Sequence, residues 1–417
     1  MRLEYPVTTG AEAFYANKGT SLGMNHGVCH MNDPVSRDDL QCAVETAMQR
    51  FPYYRTRAVI QNGSYVLVPN DAPIVVYEQP EPIAPGDERL NGYLVTFGCW
   101  GNDIFCDFFA GAAGGRGAMA AAQSALYYYC LYHYGDVSLC PGVMLAEDTP
   151  LDEEYADPYG YVHLPQQPVE LLSAPDGFVL PEERVEAGKP QMMYSITLPQ
   201  EAFIRYTKAN DGSPAVMTAL LLCRAIDEVH PVREKPVSIF MPMDASAALG
   251  CRRNMQNCLS EVHLTYSDRV RALPLDRQAT CFRGMVFLQA DPDRLLEVFA
   301  KRKALYRRVM AAGDMEAKRT VYLTWAPRYV LPSVSYVGKL DFGDVDKHRG
   351  IFRCMYDASV KGIMAEAFTA GDSITIGMAC GLKTDANYKA FLHQLTLAGI
   401  PFKAEEPMPF IPMQRTF

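Results

Sequence analysis

The sequence lacks three features that would each point to a broad class of protein. Basic side chains form no run longer than three residues, and 48 Asp and Glu outnumber 39 Lys and Arg, for a formal charge of −9. This balance argues against a nucleic-acid partner or an anionic membrane surface. The 12 cysteines include no C-x-x-C pair and have irregular spacing, which argues against a small disulfide framework. The first residues hold no apolar stretch, so we expect no signal peptide.

What remains is an ordinary globular composition. The 417 residues are 49 % apolar and 21 % charged, which suits two or three domains. Irregularly spaced thiols predict a cytoplasmic protein with reduced cysteines. The stretch from Gly117 to Gly135 lacks Asp, Glu, Lys and Arg but contains His133 and five tyrosines. Phenols and an imidazole are costly in lipid, so we predict a buried helix and no membrane span.

Local patterns predict several elements in the first part of the chain. Ser36 to Asp39 matches a capping box. Apolar residues at helical spacing follow it, and Pro52 marks the end of the predicted helix. Asn62-Gly63 separates two short strands and predicts a hairpin. A strand at 103–109 precedes the apolar helix at 117–134, and Gly135 is a natural helix C-cap.

Strands and helices continue to alternate in the second part. Residues 146–191 are rich in proline and acidic side chains and predict a crossover between two lobes. Ser213-Pro214 predicts a capped helix that runs to His230. Further expected elements are strands at 192–198, 237–243, 258–266 and 373–380, a helical stretch at 275–312 broken near Asp291-Pro292, and a last helix from Thr384 to Gly399. The class is therefore α/β or α+β with mixed sheets.

Residues 104–120 carry the most informative pattern. They read IFCDFFAGAAGGRGAMA and predict a strand, a glycine loop and the start of a helix. This segment resembles the His-His-x-x-x-Asp-Gly motif of the acyltransferases related to chloramphenicol acetyltransferase and to peptide-synthetase condensation domains. Matched to that motif, Phe109 takes the first His, Ala110 the catalytic His, Gly114 the Asp, and Gly115 keeps the Gly.

Four other segments resemble the same superfamily in the expected order. They are the helix at 40–54 with its Arg-Phe-Pro turn, Met241–Asp244 with the loop at 251–257, Ser335–Gly338, and the closing strand and helix at 372–400. The resemblance implies two chloramphenicol-acetyltransferase-like lobes in a V-shaped pseudo-dimer, each a mixed β-sheet flanked by helices. We place the N-terminal lobe, with the degenerate loop 109–115 and the start of the crossover, at 1–175, and the C-terminal lobe at 176–417.

The resemblance also implies an activity and its partners. A thioester of CoA or of an acyl carrier protein would donate an acyl group to a small-molecule alcohol or amine. A carrier protein or another protein could also bind the chain. No permanent cofactor and no metal are expected. The catalytic motif positions are Ala110, Gly114 and Gly115. The residues expected to line the substrate channel are Phe109, Arg116, Asn254, Ser335, Tyr336 and Gly338.

The altered motif leaves three interpretations open. A general base contributes roughly 10²–10⁴-fold to such a reaction, and the methyl group of Ala110 supplies none of it. The chain is then an acyltransferase with a relocated base, a ligand-binding or partner-recruiting pseudoenzyme, or an engineered inactive variant. The first is the leading hypothesis, although the sequence leaves catalysis itself open. His133 lies roughly 25 Å along its helix from the loop, and His26, His30, His263 and His348 cannot be placed from sequence.

Three weaker patterns have competing explanations. Gly115-x-Gly117-x-x-Ala120, with Asp136 further on, fits a dinucleotide fingerprint but also a plain glycine turn. Gly19-x-Ser21-x-Gly23 fits a nucleophile elbow, but a strand is expected to follow it where the elbow needs a helix, so a turn is favoured. His26, Cys29 and His30 could hold zinc, although Cys29 would point away from the two imidazoles in an extended strand.

Overall fold

The computed structural model describes residues 7–135, 137, 138, 140, 142–162, 176–325 and 330–417. Its strands are β1 Met24–Met31, β2 Thr56–Gln61, β3 Ser64–Pro69, β4 Val76–Glu78, β5 Val95–Trp100, β6 Asp103–Phe109, β7 Gln191–Pro199, β8 Val237–Asp244, β9 Leu259–Tyr266, β10 Ser333–Leu340, β11 Arg349–Met355, β12 Ile363–Ala370, β13 Ser373–Cys380, β14 Lys403–Ala404 and β15 Met408–Phe410. Its α-helices are α1 Arg37–Ala47, α2 Gly115–Tyr134, α3 Asp152–Tyr155, α4 Gln200–Ala209, α5 Pro214–Val229, α6 Asp268–Arg271, α7 Leu275–Gln289, α8 Pro292–Ala311, α9 Met315–Trp325 and α10 Ala386–Leu397.

Two mixed sheets organise these elements. The first has the order β11-β1-β6-β5-β4, and α1 and α2 pack against it. The second runs β14-β7-β13-β12-β10-β8-β9, with β15 also pairing with β7, and is covered by α4, α5, α7 and α10. In each sheet most pairs are antiparallel and at least one is parallel. The predicted class, mixed sheets flanked by helices, is confirmed.

Local sequence signals place many of the element ends. The Ser36 hydroxyl accepts a hydrogen bond from the Asp39 amide at 3.3 Å, which is the N-cap half of the predicted capping box, whereas the Ser36 amide donates to the Tyr129 hydroxyl at 3.2 Å. Asn62 and Gly63 have φ of 49° and 69° between β2 and β3, and Gly135 ends α2 with φ of 74°. The predicted break near Asp291 separates α7 from α8, and the Asp291 carboxylate caps α8.

The two halves of the chain are not strictly divided between the sheets. β11, at residues 349–355, pairs with β1 at the edge of the first sheet. A small apolar cluster joins the two sheets through Val28 and Phe105 on one side and Met193 and Ala379 on the other. The proposed lobe boundary at 175/176 stays a prediction, since residues 163–175 lie outside those described.

The C-terminal segment crosses from the second sheet to the first half of the molecule. After β15, the backbone of Arg415 exchanges hydrogen bonds with Gly19 and Thr20 at 3.0 and 2.9 Å. Its guanidinium is buried and donates to the carbonyl oxygens of Ala13, Phe14, Ala16 and Phe417. The segment is thereby tied to the loop that precedes β1.

In the described part of the chain, no helix combines the length and apolarity needed to cross a bilayer. The tyrosine-rich helix predicted at 117–134 is α2, and most of its residues are buried.

Candidate functional site

The segment matched to the acyltransferase motif, residues 109–115, spans the connection between β6 and α2. Phe109 ends β6 with its ring fully buried, at 4.8 Å from the ring centroid of Phe14 and 5.2 Å from that of Phe417. The guanidinium carbon of Arg415 lies 5.0 Å from the Phe109 centroid. The position that matches the first motif histidine is therefore filled by an aromatic cluster, which a cation stacked on the ring stabilises.

Ala110 lies where the two halves of the chain meet. Its amide donates to the Gly23 carbonyl at 2.7 Å, and its carbonyl accepts from the Asn257 side chain at 3.3 Å. Gly23 precedes β1, and Asn257 belongs to the loop that leads into β9. The residue is half-buried, and its methyl group can neither accept nor release a proton.

The glycines that follow fit closely against that second loop. The Gly114 amide donates to the Met255 carbonyl at 2.9 Å. A Cβ at Gly114 would lie 2.5 Å from the Gln256 carbonyl oxygen, and one at Gly117 would overlap the Tyr54 hydroxyl, which itself donates to Met255 at 3.0 Å. Gly115 differs, because nothing lies within 4 Å of the Cβ it would carry. A carboxylate at position 114 has no room in this packing.

Arg116 ties the start of α2 to the second sheet. Its guanidinium pairs with the Asp244 carboxylate at the end of β8, donates to the Ser246 hydroxyl at 3.0 Å, and donates to the Arg252 carbonyl. Its side chain is 43 % exposed, so solvent weakens this ion pair. An arginine stays protonated, so Arg116 can bind an anion or hold the two halves together but cannot act as a base.

The predicted channel residues fall into two groups. Asn254 is buried beside the motif loop, where its amide donates to the Glu153 and Ala156 carbonyls at 2.7 and 2.9 Å. Ser335, Tyr336 and Gly338 lie on β10 in the second sheet, where the Tyr336 and Thr369 hydroxyls are 2.9 Å apart. The structure brings Phe109, Arg116 and Asn254 to the motif loop, while the β10 residues hydrogen-bond within their own sheet. Their joint role as a channel stays a prediction.

Asp107, three residues before Ala110, forms a buried histidine–carboxylate pair. His26 on β1 faces Asp107 on β6, with Nδ1 and Oδ1 2.5 Å apart. The Tyr77 hydroxyl donates to the other carboxylate oxygen at 2.5 Å. Burial and the Asp107 charge raise the pKa of Tyr77 well above its usual value, so the phenol stays protonated as a donor. The Phe105 ring lies 5.0 Å from the imidazole.

A small cavity opens beside this pair. It is lined by Ser21, Met24, His26, Met355, Asp357 and the C-terminal residues 410–413. Its empty volume, which is continuous with solvent, is about 210 Å³. The Ser21 hydroxyl is buried and has no hydrogen-bond partner among the described residues. Ser21 and His26 therefore line the same cavity, and the Ser21 hydroxyl is an unsatisfied polar group within that lining.

Sequence reasoning named His26 but could not place it, and it missed Asp107 and Tyr77. One signal was available for Asp107, which is the charged residue inside the otherwise apolar run 104–109. A charge in a buried strand requires a partner. The identity of that partner depends on the register of β1 against β6, which the sequence does not show.

The other expectations for this region have clear outcomes. His30 is exposed and pairs with Asp103 at 2.7 Å, while Cys29 is buried and faces away, where burial raises its thiol pKa to about 12. Among the described residues, no group of three or more His, Cys, Asp or Glu could hold a metal ion. His133 pairs with Asp39 at 2.7 Å, at the far end of α2.

The dinucleotide fingerprint does not fit the topology. The strand before its glycines, β6, pairs antiparallel with both β1 and β5, whereas a dinucleotide-binding unit needs a parallel sheet. Asp136, the acidic residue of that pattern, lies outside the described residues. The Gly19–Gly23 segment leads into β1 and not into a helix, so the nucleophile-elbow geometry is not formed.

Solved structures with the same fold agree with the motif-based prediction. TRI101 of F. sporotrichioides, solved with coenzyme A and T-2, aligns with a TM-score of 0.60 over 96 % of this chain and 99 % of its own, at 12 % identity. The first condensation domain of the CDA synthetase has a TM-score of 0.59, 10 % identity and coverage of 95 % and 96 %. The epimerization domain from the third module of tyrocidine synthetase B has a TM-score of 0.61, 12 % identity and coverage of 95 % for both chains.

These similarities establish the fold and leave the reaction open. No protein-family model and no curated protein matches the sequence. The chain has the fold of these solved structures, in agreement with the fold that the resemblance of its motifs implied. Condensation and epimerization domains share it, so the reaction must be argued from the site.

Proposed function

We propose that this protein transfers an acyl group from a thioester to a small alcohol or amine at the junction of the two sheets, with a base other than residue 110. The observation that carries the proposal is the cavity at that junction, which an imidazole with a carboxylate partner lines close to the motif loop. The similarity to a fold solved with coenzyme A supports a thioester as the donor. CoA or an acyl carrier protein would supply it, and no permanent cofactor is required.

The requirement for a base follows from the acceptor. An alcohol is a weak nucleophile at neutral pH unless a neighbouring group takes its proton as it attacks. Holding donor and acceptor together contributes to the rate through proximity, which the two-sheet junction can supply without Ala110. An imidazole titrates near neutral pH and is suited to accept and return one proton per cycle.

Binding and turnover can be tested with defined probes. Isothermal titration with coenzyme A measures donor binding, and release of free thiol from acetyl-CoA, in the presence of primary alcohols and amines, measures transfer. An N-acetylcysteamine thioester tests whether the nucleotide part of CoA is needed or a carrier-type donor is enough. We expect saturable binding of at least one donor and acceptor-dependent thiol release. Neither binding nor release above the protein-free rate would reject the proposal.

One observation favours the alternative, a ligand-binding or partner-recruiting pseudoenzyme. The loop 110–114 is closed by backbone contacts with Met255–Asn257, and its glycines fit only without side chains. This packing suits a structural loop and favours natural glycines over engineered ones. The alternative predicts that coenzyme A or a partner protein binds while no acyl group is transferred, and an acylated acceptor product rejects it.

A further inference from the structure

We propose that His26 is the general base of the transfer, that Asp107 and Tyr77 position it, and that the reacting end of the acceptor enters the cavity beneath residues 410–413. This inference rests on the proposed function and names its catalytic site.

The pair fixes one tautomer of the imidazole. A carboxylate can only accept hydrogen bonds, so the short contact between Asp107 Oδ1 and His26 Nδ1 places a proton on Nδ1. The Nε2 atom is then the basic nitrogen. No hydrogen bond to Nε2 is formed within the described chain, and His26 lines the cavity. Asp107 is fully buried and is held on its other oxygen by Tyr77, so the orientation of the imidazole is well determined.

The cavity lining includes a second unsatisfied group and a carboxylate that is held by hydrogen bonds. The Ser21 hydroxyl, buried without a partner in the described structure, can donate to or accept from an acceptor molecule. Asp357 is held by Gln191 at 2.6 Å and by the Ser359 amide at 2.8 Å. Buried polar atoms are normally satisfied, so the unsatisfied hydroxyl of Ser21, in the same cavity lining as His26, points to a polar ligand.

The cavity is directly connected to the degenerate motif. Ser21 and Met24 form a turn with a 3.0 Å backbone hydrogen bond, and Gly23 within it accepts from the Ala110 amide. A Cβ at Gly23 would lie 3.7 Å from the Ala110 methyl group. The proposed base therefore lies on β1, which begins directly after the residue that the Ala110 amide contacts.

The chemical step balances with one proton. The acceptor oxygen or nitrogen attacks the thioester carbonyl carbon while His26 Nε2 takes its proton, giving a tetrahedral intermediate and an imidazolium. The carbon–sulfur bond then breaks, the thiolate leaves, and the imidazolium returns the proton to it. The products are the acylated acceptor and a free thiol. Because the cavity is smaller than typical ligand pockets, we expect the acceptor to be a primary alcohol or amine on a narrow chain.

The chain offers a matched control for the test. His30, also on β1, pairs with Asp103 through the same atoms at 2.7 Å but is exposed. We compare His26→Gln with His30→Gln in acetyl-CoA thiol release and in formation of acylated acceptor. The expected result is a loss of roughly 100-fold or more for His26→Gln and an unchanged rate for His30→Gln. Equal rates for both variants and the wild type contradict the role of His26 while leaving the proposed function intact.

Two further readouts separate the possible failures. Asp107→Asn should lower kcat more than it raises KM. It should also change the tautomer of His26 that ¹⁵N NMR detects, and a loss of packing alone would not change that tautomer. An unchanged tautomer contradicts the positioning role.

If His26→Gln does not fold, the base can be tested in the wild-type protein. The protein is treated with diethyl pyrocarbonate, and the modified histidines are mapped by mass spectrometry. Modification of His26 in the folded protein is expected, and modification of His30 alone overturns the proposal. An inactive wild type rejects the proposed function instead.

Discussion

At Gly114 the motif loop leaves no room for a side chain. A Cβ there would lie 2.5 Å from a backbone carbonyl oxygen, which cannot rotate away. We expect Gly114→Ala to lower the free energy of unfolding by roughly 1–3 kcal/mol, measured by urea denaturation. Gly115→Ala is the matched control, because its Cβ would meet open space, and it should be neutral or slightly stabilising. Equal effects of the two substitutions would contradict the packing described for the loop.

Restoring the motif should not restore its chemistry. The double variant Ala110→His, Gly114→Asp places a carboxylate where Gln256 already lies, so the loop must move before the two groups can meet. We expect a protein less stable than Ala110→His alone, with thiol release from acetyl-CoA no faster than that of the wild type. A large gain in activity would show that the loop retains the geometry of the complete motif.

Lys361 should make stability depend on pH. Burial lowers the pKa of its ammonium group from 10.5 to about 8, beside the Phe240 ring at 4.1 Å. Between pH 8 and 10.5 the unfolded chain holds this proton and the native chain has lost it, so native stability rises with pH in that window. We expect the free energy of unfolding of the wild type minus that of Lys361→Met to increase across it by up to roughly 3 kcal/mol. A difference that stays flat, or falls, contradicts this prediction.

The sequence shows which residues stand at the motif positions, but it does not show which polar groups lie near the motif loop in the fold. The absence of His and Asp at positions 110 and 114 is visible in the sequence. His26 and Asp107 are 81 residues apart and meet only because β1 lies beside β6 in one register. A shift of one residue would turn one of the two side chains to the opposite face, and no local pattern specifies that register.

Helix α5 depends on its N-terminal cap. The Ser213 hydroxyl accepts from the Val216 amide at 3.4 Å, and Pro214 occupies the first helical turn. We expect Ser213→Ala to lower the free energy of unfolding by about 1 kcal/mol, because an amide of the first turn loses its acceptor. Ser213→Asp, which keeps an acceptor, should stay within a few tenths of a kcal/mol of the wild type. Equal losses for both variants in urea denaturation would show that the cap contributes little.

Elements with a strong local signal were predicted from the sequence, and those without one were not. The Ser36 N-cap of α1, the Asn62-Gly63 hairpin and the break at Asp291 each depend on neighbouring residues, and each is confirmed. β11 was missed, because Arg349–Met355 carries no regular alternation and is stabilised by its pairing with β1. Helix α9 was also missed, since its buried residues are few and polar as well as apolar.

At the scale of the whole molecule, Arg415 joins the C-terminal segment to the residues before β1. Its guanidinium donates to carbonyls of Ala13, Phe14 and Ala16 and stacks near the Phe109 and Phe417 rings. Arg415→Met would leave these buried carbonyls without a donor, and we expect a loss of roughly 2–4 kcal/mol in the free energy of unfolding. The C-terminal residues should also become sensitive to limited proteolysis.

Arg415→Lys provides the control for this prediction. A lysine keeps the charge but cannot reach several carbonyls with a planar fork, so an intermediate loss is expected. Wild-type stability and protease resistance in Arg415→Met would contradict the role of the segment.

The overall fold was predicted from the order of several weak motifs, and the comparisons confirm it. The motifs could not show that β11 joins the first sheet, nor that the C-terminal residues 410–413 cover the cavity at His26. These contacts join residues more than 300 positions apart in the sequence. No local sequence pattern predicts which of these distant residues pair.

The central claim is that this protein moves an acyl group between two small molecules despite the missing motif histidine. The most direct measurement is mass spectrometry of acceptor mixtures after incubation with ¹³C-labelled acetyl-CoA. The account predicts a labelled ester or amide that grows with protein concentration, in step with free thiol. Labelled acetyl-CoA recovered intact, or hydrolysed without any acylated acceptor, would contradict it.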